Sequence, residues 1–138
     1  VITVGTTSLR TVESLYWIGR KAVSGEWSMV SGGISQWEVY DRKDKNITAK
    51  ESLTALLDWM KANKLERLVT KTQILIAPGY QFRIINGLVT NFHQPQSTLL
   101  LLVAALIGED WRKVYEFALN NEFRFLSYGD GSLLWRKR

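Results

Sequence analysis

Residues 90–102 read TNFHQPQSTLLLL and contain the only histidine of the chain, His93. An unbroken apolar run, residues 99–107, begins inside this stretch and continues beyond its end. Ser97 and Thr98 stand where the polar and apolar halves meet, and both residue types favour the start of a helix. The pattern therefore predicts a short polar loop followed by a buried helix. Such a loop is a common way to build a site, although an ordinary connection in which His93 only caps or packs is the alternative.

The composition is that of a soluble globular domain with a basic balance. The 138 residues are 46% hydrophobic and 22% charged, which suffices for one domain with a core. The absence of cysteine excludes disulfides and a cysteine nucleophile, and a single histidine excludes a multi-histidine metal site. The net charge of +5 predicts an acidic partner, most commonly nucleic acid. The apolar run is too short to span a bilayer.

The beginning of the chain predicts a strand, a turn and a helix. Residues 1–4 (VITV) favour a strand, and a Gly-Thr-Thr-Ser turn leads into helical spacing of apolar residues. The N–H groups at such a helix start can hold an anion, or Thr7 or Ser8 caps the helix and nothing more. Arg10 lies in the predicted first turn, where the helix dipole disfavours a cation. We therefore expect a negative partner, which is either Glu13 or a bound carboxylate or phosphate.

The middle of the chain predicts further strands. Residues 34–40 and 73–76 have strand patterns, and the charged residues 41–46 between them predict a solvated loop. Residues 80–85 and 88–92 flank Asn-Gly, a pair that favours a tight β-hairpin. The second strand of that hairpin would lead directly into the His93 loop.

Two more helices and a last strand complete the prediction. Thr48 followed by Glu51 is a capping box, and Glu109 or Asp110 is expected to start another helix. Residues 133–135 favour a final strand. Asp130 lies between two glycines, so its carboxylate is expected in a tight turn, with a purely structural turn role as the alternative.

Four blocks of sequence go beyond periodicity. They are GTTSLRTVES (residues 5–14), PGYQF (78–82), TNFHQPQSTLLLLVAALIG (90–108) and FRFLSYGDG (123–131). In this order and spacing they resemble the C-terminal part of the S-adenosylmethionine:tRNA ribosyltransferase-isomerase family of queuosine biosynthesis. This chain has Gln94 and Gln96 where the family usually has Leu and Lys.

The resemblance implies an α/β fold. We expect a mixed sheet, partly barrel-like, packed with about four helices, as a fragment of a larger two-domain protein. Residues 1–138 would form a single α/β domain, the C-terminal part of the catalytic domain. The N-terminal half and an inserted β-barrel domain of the family are expected to be absent, so we expect this fragment alone to be inactive.

The resemblance also implies the reaction. Family members are transferases and isomerases that move the ribosyl part of S-adenosylmethionine onto 7-aminomethyl-7-deazaguanine in tRNA. Isomerisation of that sugar gives epoxyqueuosine, with release of adenine and methionine. The expected partners are S-adenosylmethionine as co-substrate and tRNA, without a metal or a membrane, in the cytoplasm.

The resemblance implies roles for individual residues of the four blocks. His93 is the candidate acid or base, because it alone has an ordinary pKa near neutrality, and Asp130 is the second candidate base or a ribose ligand. Arg10 suits the methionine carboxylate. The residues expected to bind substrate are Thr6, Thr7, Ser8, Arg10, Glu13, Tyr80, Phe82, Asn91, Phe92, Ser97, Thr98, Ser127 and Tyr128. Of these, Tyr80, Phe82 and Phe92 are expected to stack on bases, and Ser97 and Thr98 either bind sugar hydroxyls or only cap the helix.

Two other classes of protein remain open from the residues. The first is a non-catalytic, basic α/β domain that binds nucleic acid. The second is a structural domain that binds an anion at the start of its first helix.

Overall fold

The computed structural model describes residues 1–28, 32–41 and 47–137, which fall into two compact units. One unit consists of Val1–Leu9 and Leu75–Arg138, and the other of Arg10–Ile74. The elements in chain order are β1 (Ile2–Val4), α1 (Thr6–Ser24), α2 (Ala49–Ala62), β2 (Gly87–Asn91), α3 (Thr98–Ile107), α4 (Asp110–Asn120) and β3 (Gly131–Trp135). Single 3₁₀ turns lie at Glu38–Tyr40 and Leu126–Tyr128.

The first unit is built on a three-stranded mixed sheet in the order β1-β2-β3. β1 runs parallel to β2 with Val4 beside Val89, and β3 runs antiparallel to β2 with Gly131 beside Asn91. The mixed sheet and the four helices confirm the predicted fold class at that level. The described strands form an open sheet, so the partly barrel-like form is not seen among them.

The predicted Asn-Gly hairpin is wrong. Residues 80–85 form no strand, and Asn86–Gly87 leads into β2 instead of turning the chain back. The N–H groups of Asn86 and Gly87 both donate to the carbonyl of Val1, at 2.8 and 3.3 Å. The carbonyl of Asn86 accepts from the N–H of Arg136 at 2.8 Å. Chain segments on both sides therefore occupy the backbone groups that a hairpin would have used.

The predicted strands at residues 34–40 and 73–76 are also wrong. Only an isolated bridge between Ile34 and Thr72 forms there. The carboxylate of Glu38 accepts from the N–H of Ser35 at 2.8 Å and pairs with Lys21 at 2.7 Å. These bonds hold the chain in a 3₁₀ turn where the alternation of residues had favoured a strand. Of the loop predicted at residues 41–46, all but Asp41 lies outside the described residues.

The predicted helix starts are largely confirmed. Thr48 and Glu51 form the complete capping box of α2, and the Ser97 hydroxyl accepts from the N–H of Leu99 at the start of α3. α1 begins earlier than expected, since the N–H of Leu9 donates to the carbonyl of Gly5. Neither Thr7 nor Ser8 is therefore the cap, and Arg10 lies in the second turn of α1.

The second unit packs α1 against α2 at very short range. A Cβ on Gly19 would lie 2.1 Å from the carbonyl oxygen of Ser52, so only glycine fits there. The Ser52 hydroxyl donates to the carbonyl of Tyr16 at 2.5 Å. This contact fixes the two helices of that unit. No helix of the described chain is long and apolar enough to cross a membrane.

Candidate active site

Three segments of the first unit meet at one edge of its sheet. β1 and β2 are parallel, so their last residues lie at the same edge, and the antiparallel β3 begins there. The N–H of Gly5 donates to the carbonyl of Val89 at 2.8 Å, which ties the start of α1 to β2. Residues 6–8, 91–93 and 127–130 therefore lie along this edge, which we call the site edge.

His93 is a buried, oriented and neutral side chain. It is 5% exposed, and its Nε2 lies 3.1 Å from the Oγ1 of Thr90. Its backbone N–H donates to the hydroxyl of Tyr115 at 3.0 Å. Burial lowers the pKa of His93 below its ordinary value because the charged ring loses hydration. At neutral pH the ring is therefore mostly in its neutral form, which is the form in which an acid–base group accepts a proton.

Asp130 closes a turn on Arg124. Its Oδ2 accepts from the backbone N–H of Arg124 at 2.6 Å and from the guanidinium Nε at 3.3 Å. The backbone hydrogen bond, followed by the side-chain bond, holds the pKa of Asp130 below its ordinary value. The carboxylate is thus ionised and already hydrogen-bonded within the protein. Such contacts are those expected of a purely structural role in the turn. The catalytic role of Asp130 stays a prediction.

The turn before Asp130 is held in an unusual backbone conformation. Leu126 has a φ of 60°, in the left-handed region that costs a non-glycine residue about 1–2 kcal/mol. Its N–H donates to the carbonyl of Phe92 at 2.9 Å, and its carbonyl accepts from the Asn91 amide at 2.7 Å. Backbone strain of this kind is often found at functional sites. Here the two hydrogen bonds of Leu126 connect the Ser127–Tyr128 part of the site edge to the residues just before His93.

The predicted stacking residues lie in the interior. Tyr80 and Phe82 are buried and meet edge to face at 5.1 Å, and Phe92 stacks on Phe125 at 5.3 Å. The exposed aromatic ring of the site edge is that of Tyr128, which is 78% accessible. Tyr128 is therefore better placed than the other three rings to meet a base in solution.

Arg10 and Glu13 belong to the second unit. The Arg10 Nε donates to the carbonyl of Ile74 at 3.0 Å, and Glu13 is fully buried. Ser97 caps α3 as described above, and Thr98 is the first helical residue. Their roles toward a substrate stay predictions.

The sequence alone did not single out three residues that organise this site. Thr90 orients His93, Tyr115 holds its backbone, and Leu126 is the anchored residue of the turn. Thr90 lies three residues before His93 in the same quoted block, so its spacing was a usable signal. Tyr115 is 22 residues away on α4, and no local pattern points to it. Among the described residues no group of three acidic, histidine or cysteine side chains is arranged to hold a metal ion.

Comparisons with known proteins identify the family. Residues 1–134 match the family model described as queuosine biosynthesis protein, so the chain belongs to that family. A relative from Ruegeria pomeroyi, named S-adenosylmethionine:tRNA ribosyltransferase-isomerase, is 59% identical over 64 residues, or 46% of this chain. A relative of the same name from Ruegeria sp. is 36% identical over 135 residues, or 97% of this chain.

A solved structure has the same fold. The S-adenosylmethionine tRNA ribosyltransferase of Thermotoga maritima matches 96% of this chain at 29% identity with a TM-score of 0.54. The chain spans only part of these proteins: 18% of the Ruegeria pomeroyi relative, 26% of the Ruegeria sp. relative and 32% of the Thermotoga chain.

Proposed function

We propose that this chain is the C-terminal part of the catalytic domain of a tRNA-modifying transferase-isomerase. The complete enzyme would transfer the ribosyl moiety of S-adenosylmethionine to 7-aminomethyl-7-deazaguanine in tRNA. Isomerisation of the sugar would give epoxyqueuosine and release adenine and methionine. Family membership over residues 1–134 supports the class of enzyme, and the names of the relatives supply the two substrates.

The observation that carries the proposal is the neutral, oriented imidazole at the site edge. A reaction that begins next to a sulfonium needs a group that accepts a proton at neutral pH. His93 has its ring fixed by Thr90, and its lowered pKa keeps the ring neutral there. In this proposal His93 is the acid–base group, and Asp130 keeps the turn closed or binds a ribose hydroxyl.

In this proposal, other residues for which the family resemblance implied a role bind the substrate. The guanidinium of Arg10 binds the methionine carboxylate through its terminal nitrogens, while its Nε stays on the carbonyl of Ile74. Ser127 and Tyr128 are exposed on the anchored turn, where a hydroxyl and a ring can meet the sugar and a base. The hydroxyls and N–H groups at residues 6–8 would bind an anionic or hydroxyl group of the substrate.

The setting of the site follows from the same proposal. Residues 1–138 would act as one α/β domain within a larger two-domain protein whose complete sheet is partly barrel-like. The enzyme would work in the cytoplasm, where its tRNA substrate is, and would need no metal.

A chimeric enzyme tests the proposal. Residues 1–138 replace the matched region of the Ruegeria sp. relative, and adenine release and the mass change of precursor tRNA are measured. We expect turnover by the chimera and none by residues 1–138 alone. The chimera carrying His93→Gln is the matched control and should lose adenine release.

Two outcomes would contradict the proposal. Turnover by the isolated chain would show that the remainder of the family polypeptide is dispensable. A folded chimera without turnover, together with salt-dependent tRNA binding by the isolated chain, would favour the basic nucleic-acid-binding domain instead.

A further inference from the structure

The strand register sorts the sheet of the first unit into two faces. Residues that are partners across strands point to the same side, and alternate residues point to opposite sides. One face carries Thr3, Leu88 and Leu134, all of which are buried. The opposite face, which we call the open face, carries Ile2, Val4, Val89, Leu133 and Trp135, together with Gly87, Asn91 and Gly131.

The open face is apolar and accessible. Its exposed fractions are 49% at Ile2, 72% at Val4, 53% at Leu133 and 57% at Trp135. Gly87 lies between Ile2 and Trp135 in the register, and a Cβ there would be 3.1 Å from the indole ring. The indole ring of Trp135 therefore packs against Gly87 of β2. Apolar side chains from all three strands therefore share this face.

Such an exposed apolar face is unusual on the surface of a soluble protein. A parallel strand pair, as in β1 and β2, normally has both of its faces covered. Contiguous apolar patches on soluble proteins mark sites where another surface docks. A sheet face that meets water normally carries polar side chains. The outward positions here are two valines, an isoleucine, a leucine and a tryptophan, with two glycines and a single polar residue, Asn91.

We propose that the open face is the docking surface for the remainder of the family polypeptide. The Ruegeria sp. relative matches 97% of this chain, yet that match covers only 26% of the relative. Members of the family thus carry a large additional polypeptide on the same chain. An apolar helix stripe or strand face of that polypeptide covers β1, β2 and β3 on the side opposite Leu88 and Leu134.

A tethered occupant has an advantage over a second copy of this chain. Linkage on one polypeptide raises the effective concentration of the occupant into the millimolar range for short linkers. A second copy would have to bind at its own much lower concentration. The remainder of the polypeptide therefore covers the face first, whatever reaction the enzyme performs.

A binding experiment tests the inference without any activity assay. The 138-residue chain is titrated by calorimetry with the remainder of the Ruegeria sp. relative, produced as a separate polypeptide. The double variant Val4→Thr/Leu133→Gln removes apolar surface from the open face. We expect it to weaken binding about tenfold or more, because each residue loses the burial of an aliphatic side chain.

The matched control is Val69→Thr/Leu57→Gln in the second unit. Val69 is 72% exposed, like Val4, and Leu57 is 56% exposed, close to Leu133. We expect this control to bind like the unaltered chain. Hydroxyl-radical footprinting should also show that Leu133 and Trp135 become protected in the complex.

Several results would overturn the inference. They are equal binding by both double variants, no binding by the unaltered chain, and reactivity of Trp135 that is unchanged by the partner. A fourth is a dimer of the 138-residue chain that only the open-face variant abolishes. That result would make a second copy the occupant.

Discussion

The Nε2 of His93 lies 3.1 Å from the Oγ1 of Thr90, three residues earlier in the chain. Thr90 is a residue of β2, so its hydroxyl is fixed by the sheet, and the imidazole takes its orientation from that hydroxyl. Tyr115 on α4 holds the backbone of His93 from another direction. An acid–base group must be held in productive geometry by its neighbours, and these two contacts supply that support.

His93→Gln in the chimeric enzyme should lower the single-turnover rate of adenine release by about two orders of magnitude or more. Glutamine keeps a polar group near Thr90 but cannot exchange a proton near neutral pH. We expect the melting temperature to change by only a few degrees and tRNA affinity to persist, because phosphate contacts dominate that affinity.

Asp130→Asn in the same enzyme is the comparison for that experiment. The carboxylate of Asp130 is engaged by Arg124, so we expect a smaller loss of rate than in the His93 variant. A larger loss for Asp130→Asn would assign the proton transfer to Asp130. Near-normal turnover with His93→Gln would remove His93 from the mechanism.

The stability of the 138-residue chain should depend on His93 between about pH 5 and pH 7. Burial lowers the folded-state pKa of His93 below its ordinary value of 6.5, so the unfolded chain binds the proton more readily. The free energy of unfolding therefore falls as the pH falls through this window, and is unaffected by His93 above it.

Urea titrations at several pH values measure this contribution. The difference in the free energy of unfolding between the chain and its His93→Gln variant should shrink as the pH falls from neutrality. Asp130→Asn is a control for the window, because the lowered pKa of Asp130 affects stability only around and below its ordinary 3.8. A constant difference across pH 5 to 7 would mean that the folded and unfolded pKa values of His93 are equal.

Arg10→Ala in the chimeric enzyme should weaken S-adenosylmethionine binding more than tRNA binding. A charge-assisted hydrogen bond to the methionine carboxylate is worth about 1.5–3 kcal/mol, which calorimetry can resolve. Arg10→Lys keeps the charge but loses the Nε bond to Ile74 and the paired geometry, so it should rescue affinity only in part. Unchanged affinity in both variants would leave Arg10 with only a structural role, its hydrogen bond to the carbonyl of Ile74.

Asn91→Ala should release the turn that carries Ser127 and Tyr128. The variant loses the 2.7 Å bond from the Asn91 amide to the carbonyl of Leu126, at a cost of about 1 kcal/mol in stability. Because the turn positions substrate-binding side chains in our proposal, the KM of the chimera for tRNA should also rise.

Asn63→Ala is the matched control for the turn. The Asn63 amide also donates to a backbone carbonyl, that of Trp59 at 2.8 Å, but at the end of α2. A comparable loss of stability with an unchanged KM is expected there. Equal kinetic effects from both variants would argue against a positioning role for Asn91.

Gln96→Gly should raise the free energy of unfolding relative to Gln94→Gly by about 1 kcal/mol. Gln96 has a φ of 63°, where a side chain is strained and glycine is not, whereas Gln94 is outside the left-handed region. Both residues are exposed in the same loop, so other effects of glycine should largely cancel. Equal stabilities of the two variants, measured by urea unfolding, would contradict the strain at Gln96.

Local features of the sequence determined the helix starts and the family. The capping box of Thr48 and Glu51 and the cap at Ser97 were predictable because a cap involves residues only two or three positions apart. The four blocks identified the family because long runs of specific residues in order rarely arise by chance. They also led to His93 as the candidate acid–base residue, but not to the contacts that orient it.

Only the tertiary structure decided the strand pairing and the geometry of the site. The Asn-Gly pair favoured a hairpin, but the N–H groups of Asn86 and Gly87 donate instead to the carbonyl of Val1, the first residue of the chain. The hydroxyl of Tyr115 on α4 accepts a hydrogen bond from the backbone of His93. The carboxylate of Asp130 accepts one from Arg124. Caps and turns depend on neighbours in sequence, whereas strand partners depend on which distant apolar faces can be buried together. That choice is made by the whole fold, and no short stretch of residues encodes it.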